Sequence, residues 1–180
     1  MTGKSDIAVR IASQRDLDAI AAIYAQTFDG MAQTFGGMRP RLAVEQYLRP
    51  EGAWALIATL DRGGAARPAG FVLARTVLEE SEIFSIGVAP ADRRRGVGEA
   101  LVATARQIAE RGGAAAIYLE VGVDNPGARA LYEKCGFDVV GRRPDYYRKS
   151  GGDRVAALIL RLSLGTRDEN KLDLLYTDTI

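Results

Sequence analysis

The apolar positions along the chain change period several times, and each change marks an element. Residues 7–11, Ile-Ala-Val-Arg-Ile, read as a short strand. Ser13, with Asp16 three residues on, makes a capping-box variant that opens a helix. Leu17, Ile20, Ala21, Tyr24 and Phe28 follow at helical spacing and predict an amphipathic helix. Gly30, Gly36, Gly37 and Pro40 break that spacing, so 29–39 reads as a loop, with a short helix around Leu42–Leu48. Trp54–Leu60 is a strand, 61–70 a turn region, and Phe71–Leu78 the returning strand. Glu82–Val88 is another strand, joined by a short turn at Glu79–Ser81.

In the second half, Val97, Leu101, Ala105 and Ile108 line one face of a helix ending near Gly112-Gly113. Ala116–Val121 is apolar nearly throughout, as a central strand is. Asn125-Pro126 is a helix start, with Asn as the cap and Pro at the first helical position. Gly136 is the expected stop. Strands near Val139–Arg142 and Ala156–Leu162 complete the order. Antiparallel strands followed by strand–helix–strand predict an α+β, or mixed α/β, domain over residues 1–165. Residues 166–180 form a polar tail, with Arg167 and Lys171 against Asp168, Glu169, Asp173 and Asp178. No internal repeat or domain-splitting linker interrupts the chain.

Composition narrows the chemistry. The 180 residues suit one domain with a real core. The net charge of +1 lacks the basic excess of a dedicated nucleic-acid binder. No stretch reaches the ~20 apolar residues of a membrane helix, and the N-terminus lacks a signal-type apolar region. The single cysteine, Cys135, rules out an intrachain disulfide and fits a reducing compartment, so a cytoplasmic protein is expected. The chain has no histidine, which removes the imidazole base and the commonest zinc ligand. No metal site is expected, and acid–base work falls to carboxylates, Tyr, Lys or Cys.

The stretch Asp92–Leu101, DRRRGVGEAL, carries the candidate ligand site. A P-loop needs Lys-Ser or Lys-Thr after the glycines, and neither follows. A dinucleotide fingerprint would need a small residue at Leu101 and a strand running directly into the first glycine. A pyrophosphate held by amide donors at a helix start fits better. Gly96 and Gly98 let the backbone approach it closely, with Val97 between them, and Arg93, Arg94 and Arg95 add charge.

At this point the chain resembles a known family. IGVAPADRRRGVGEALV, 86–102, resembles the acetyl-CoA motif of the GCN5-related N-acetyltransferases, with Arg93, Gly96 and Gly98 at its defining positions. IYLEVGVDNPGARALYEKCGFDVVGRRPDYY, 117–147, resembles the branch that acetylates the N-terminal alanine of a ribosomal protein. The resemblance implies a bent mixed central sheet flanked by helices on both faces. It implies acetyl-CoA as co-substrate, with Glu120 as general base, directly or through water, and Tyr132 as proton donor to the CoA sulfur. It also implies a hydrogen bond from Asn125 to the CoA arm, and backbone pairing of Ile86, Gly87 and Val88 with the pantetheine. Tyr146 and Tyr147 are adjacent, so an extended segment would point them to opposite faces, and the resemblance implies at least one of them as a wall of the acceptor site. Phe28 begins the loop expected to shape the acceptor site. That loop, FDGMAQTFGGMRPRL, departs from the Phe-Pro-Trp start of the relatives, and the tail after Leu164 is a second departure.

Four functions follow from these residues. The first is acetylation of a protein or peptide N-terminal α-amine, by a monomer or homodimer. The second is acetylation of a small amine: a polyamine, amino acid or drug. A non-catalytic CoA-binding module is the third, against which Glu120 and Tyr132 argue. Nucleic-acid binding through Arg93–Arg95 is the fourth, against which the near-neutral charge argues. Cys135, beside Gly136 at a helix end, reads as an inert thiol, so transfer is expected to be direct.

Overall fold

A computed structural model of the protein describes residues 6–27, 39–61, 63–148 and 154–165. The chain runs β1 (Ile7–Ile11), α1 (Leu17–Thr27), α2 (Pro40–Tyr47), β2 (Ala53–Asp61), β3 (Ala66–Val77), β4 (Glu80–Val88), α3 (Val97–Arg111), β5 (Ala116–Gly122), α4 (Pro126–Lys134), β6 (Asp138–Arg148) and β7 (Arg154–Ser163). Phe28, the following loop and the tail at 166–180 lie outside the described residues.

Local chemistry explains where the elements begin and end. Asp16 accepts from the Ser13 amide at 2.7 Å and its hydroxyl at 2.9 Å, closing the capping box ahead of α1. Arg10 holds the same carboxylate with two bonds of 2.8 and 2.7 Å. These donors depress the Asp16 carboxyl well below the usual carboxylate range, the Arg10 bond first. Asn125 Oδ1 caps α4 by accepting from the Ala128 amide at 3.1 Å. At the other end of α4, Gly136 takes a φ of 87°. It donates to Glu133, and Phe137 donates to Tyr132, a Schellman stop.

Among the described residues the strands form one seven-stranded sheet in the order β1-β2-β3-β4-β5-β7-β6. Every pairing is antiparallel except β4 with β5. Leu56, Leu60, Val72, Leu101, Ile117 and Tyr132 pack on one face with α3 and α4. Ile20, Val44, Ile57, Phe71 and Leu73 pack on the other with α1 and α2. Because both faces are covered, β2 and β3 read as almost unbroken apolar runs.

Several boundaries differ from the sequence expectation; β6, expected near Val139–Arg142, runs on to Arg148. β3 starts at Ala66, five residues ahead of the expected Phe71. Ala-Arg-Pro-Ala-Gly carries little strand signal, yet Ala66–Pro68 pair with Thr59–Asp61 of β2. Pro68 sits beside the register shift at Ala58/Thr59, where a missing donor is tolerated. β4 starts at Glu80, and the hairpin turns at Leu78 (φ 52°) and Glu79 rather than across Glu79–Ser81.

The parallel pairing of β4 with β5 is short. It runs from Glu80 opposite Ala116 to Ile83 opposite Leu119, and there it stops. β4 continues to Val88 and β5 to Gly122 without pairing to each other. Just at the parting, β4 is bulged: Leu73 faces Ser85 and Ala74 faces Ile83, leaving Phe84 as the extra residue. A bulge bends and twists its strand, which opens the fork.

Candidate functional site

The fork leads directly to the glycine loop. Beyond Val88, Ala89 donates to Ala69 at 2.9 Å, and a 3-10 turn covers Pro90–Asp92. Asp92 is fully buried and accepts from Arg67 at 2.6 Å, which fixes the loop to β3. Arg93, Arg94 and Arg95 are all exposed. Arg94 (φ 61°) and Gly96 (φ 87°) both take left-handed backbone, and this turns the chain into α3. Gly96 caps α3 without any side-chain acceptor, so the amides of Val97, Gly98 and Glu99 stay open to an outside anion. Gly98 has a further reason to be small. A Cβ there would lie 2.9 Å from Leu131 Cδ2, so glycine lets α4 pack against the start of α3. Lys134 and Glu99, 2.7 Å apart, tie the same two helices together.

Asn125 is exposed at the start of α4, and its cap is present. Ile86 and Val88 are partly buried, and Gly87 lies against the Phe71 ring on the α1 side. These residues, the glycine loop and Asn125 flank the open end of the fork.

Glu120 is the first residue of β5 past the parting. Its side chain is 17% exposed, and Arg143 Nε lies 2.9 Å from Oε1. The Tyr146 phenol also lies toward this carboxylate; its interaction with Glu120, followed by loss of solvent, pushes it up to about 12. The Tyr147 hydroxyl reaches the Glu120 carbonyl at 3.4 Å. Tyr132 is buried, with its ring edge-on to Phe137 at 5.6 Å. Burial raises its phenol above the ordinary value, and the neighbouring Tyr147 and Cys135 add to this. The structure therefore brings Glu120, Tyr132, Tyr146 and Tyr147 together.

The expectation that Tyr146 and Tyr147 face opposite sides is wrong. Their rings meet edge to face, 5.0 Å between centres. The β6–β7 register shifts between Arg143 and Tyr147, and Asp145 takes a φ of 53°. That bulge breaks the alternation and turns both tyrosines toward Glu120.

Several neighbours were not singled out from the sequence. Arg143 pairs with Ala157 ahead of that bulge, and Ala157 pairs with Gly122, so Arg143 comes from β6 on the same face of the sheet as Glu120. Tyr47 of α2 stacks on Phe84 at 5.5 Å, and burial raises its phenol, with Tyr24, Tyr147 and Tyr146 also acting on it. Glu82 lies on β4 opposite Tyr118, so it shares a face with Glu120. Loss of solvent and then Glu120 raise its carboxyl, while Arg143 and Arg75 pull it down. The exposed Glu80-x-Glu82 alternation marks the face of β4 that Glu82 lies on, but not its nearness to Glu120. Cys135 is half-buried, and burial followed by Glu99 raises its thiol, which suits an inert residue.

Residues 18–137 match the profile of the acetyltransferase (GNAT) family. The N-alpha-acetyltransferase RimI of Mycobacterium tuberculosis is 48% identical over 81 residues, covering 45% of this chain and 49% of that protein. The ribosomal-protein-S18-alanine N-acetyltransferase of Escherichia coli superposes with a TM-score of 0.74 at 28% identity, over 92% of this chain and 98% of that one. A GCN5-related N-acetyltransferase from Kribbella flavida shares the fold, with a TM-score of 0.73 at 24% identity over 88% of this chain and 98% of that one. Matches to the first curated relatives span 36%, 49% and 64% of those proteins' lengths. No helix among the described residues is long and apolar enough to cross a membrane.

Proposed function

The chain belongs to the acetyltransferase (GNAT) family, and from that membership we propose that it moves the acetyl group of acetyl-CoA directly to a primary amine, first of all the N-terminal α-amine of a protein or peptide. One observation carries the reading: Glu120 stands immediately past the parting of β4 and β5, where an acyl chain lying in the fork would end. The relatives named as an N-alpha-acetyltransferase and a ribosomal-protein-alanine acetyltransferase support the choice of acceptor.

The residues present fit acetyl-CoA. The open amides of Val97, Gly98 and Glu99, with the exposed Arg93, Arg94 and Arg95, suit the pyrophosphate. Ile86, Gly87 and Val88 pair with β3 on one side and turn their other backbone edge to the fork, toward the pantetheine arm, and Asn125 has a second amide-bonding group beside its cap. The bound thioester supplies the acetyl group. Glu120 takes a proton from the acceptor ammonium, because an α-amine of ordinary value near ~8 arrives charged. Tyr132 keeps its proton through neutral pH and presents it to the departing sulfur. Tyr146 and Tyr147 wall the acceptor side, and Phe28 is assigned to the same wall.

Acetyl-CoA turnover on a library of Ala-initiated and other peptides, run beside a panel of free amines, tests both parts. Turnover on peptides is expected. A small amine is the second reading, favoured by Glu82 lying next to Glu120, which suits a compact polycation; turnover confined to the amine panel would replace the first reading with it. If acetyl-CoA binds but no peptide or amine is acetylated, both readings fail in favour of a binding module; if amines are acetylated and Glu120→Gln and Tyr132→Phe change no rate, the roles given to those two residues fail.

A further inference from the structure

Arg143 supplies a cation where the acceptor amine is expected. Its Nε is 2.9 Å from Glu120 Oε1, and its guanidinium carbon is 5.4 Å from the centre of the Tyr146 ring. Tyr146 is near enough to Glu120 for the carboxylate to act on its phenol. Glu82 is near enough to act on by both Glu120 and Arg143, in opposite senses. The Arg143 guanidinium therefore lies among two carboxylates and an aromatic ring, with Arg75 a second cation acting on Glu82. A protonated primary amine seeks the same surroundings.

The partners of this ion pair are held unequally. Glu120 is 17% exposed, on a strand paired with β7 on its far side. The Arg143 side chain is 56% exposed. It also lies where the β6–β7 ladder skips to Tyr147, next to Pro144 and the left-handed Asp145. An ion pair this exposed is weak, and the arginine is the member free to leave.

We propose that Arg143 is a placeholder for the acceptor ammonium: its guanidinium fills the cation position at Glu120 in the free protein, and an acceptor reaches Glu120 by displacing it. Arg143 is then a specificity-determining residue, since only an amine that outcompetes a tethered guanidinium is admitted. The inference rests on the acetyl-transfer reading, with Glu120 as the group that meets the acceptor.

Ethylguanidinium chloride, at constant ionic strength, is the probe. It is titrated by NMR into wild type, Arg143→Ala and the double variant Arg143→Ala/Glu120→Gln, with Arg143→Gln carried as a variant that keeps the stem. Saturable binding is expected in Arg143→Ala, little in wild type, and none once Glu120 is also replaced. In turnover, Arg143→Ala should show an amine KM lower by up to about fivefold, with kcat little changed. Ethylguanidinium should inhibit that variant competitively against the amine. Equal binding to wild type and Arg143→Ala overturns the proposal. So does a loss of kcat in Arg143→Ala that ethylguanidinium restores, because Arg143 would then support Glu120 rather than stand in for the substrate. If wild type acetylates no amine, the acetyl-transfer reading fails, and the binding arm alone decides whether the cation position exists.

Discussion

Tyr132 shows how placement sets the job of a single residue. Its ring packs on Phe137 in the core, and burial holds its hydroxyl protonated above the ordinary phenol range. The hydroxyl proposed above as the acid is therefore loaded at every pH where an amine can react. Raising pH toward ~10 should not cost the enzyme this donor, so kcat measured with saturating substrates should show no alkaline fall assignable to Tyr132 below ~10. Tyr132→Phe keeps the packing and removes the proton; kcat should fall by ~10²–10⁴ with acetyl-CoA affinity retained in calorimetry. Glu120→Gln should lower kcat by a similar ~10²–10⁴, the range for a lost general base. Both residues could be read from the sequence because a motif marks their positions. Arg143 and Glu82 could not, because each meets Glu120 from a different strand, and nothing local in the chain records a cross-strand meeting.

At the scale of elements, the caps and turns were the most legible part of the chain. Ser13 with Asp16, Asn125 with Pro126, and Gly136 act over three or four residues, so the sequence displays each in one view. Asn125→Ala should lower unfolding stability by ~1 kcal/mol, from denaturant melts, before any effect on the co-substrate is counted. Gly96→Ala forces a side chain onto a φ of 87° and should cost ~1–2 kcal/mol while raising the KM for acetyl-CoA. Asp16 adds a pH signature. Its carboxyl is depressed in the folded chain, so the stabilisation it gives is present above its unfolded value near ~3.9 and is lost as pH falls below that. The melting-temperature gap between wild type and Asp16→Asn should therefore narrow on acidification, and a gap that widens would contradict the cap. The start of β3 and the facing of Tyr146 and Tyr147 were not legible for the same reason: a register shift is a property of two strands, and alternation along one strand cannot anticipate it.

For the whole molecule, the order of elements was enough to predict an α+β, or mixed α/β, domain, and the family resemblance added the mixed sheet with helices on both faces. The order could not show how far β4 and β5 stay together, since both strands look complete as sequence. Electrostatics also belongs to this scale. The net charge is only +1, yet Arg93, Arg94 and Arg95 all stand exposed at one helix start. Attraction of the CoA phosphates to that point should weaken with salt, so the KM for acetyl-CoA should rise between low and ~0.15 M ionic strength and lose most of that dependence when the three arginines become serine.

The parted strands have a cost outside catalysis. A sheet that splits in its middle has inner edges as well as outer ones, and the Phe84–Val88 edge of β4 presents backbone groups toward β5 that no strand among the described residues covers. An exposed strand edge templates pairing with any extended chain, including a partly unfolded copy of the same protein. Acetyl-CoA lying along that edge would act as a stopper against self-association, and light scattering on slow heating should set in later with the co-substrate than without it.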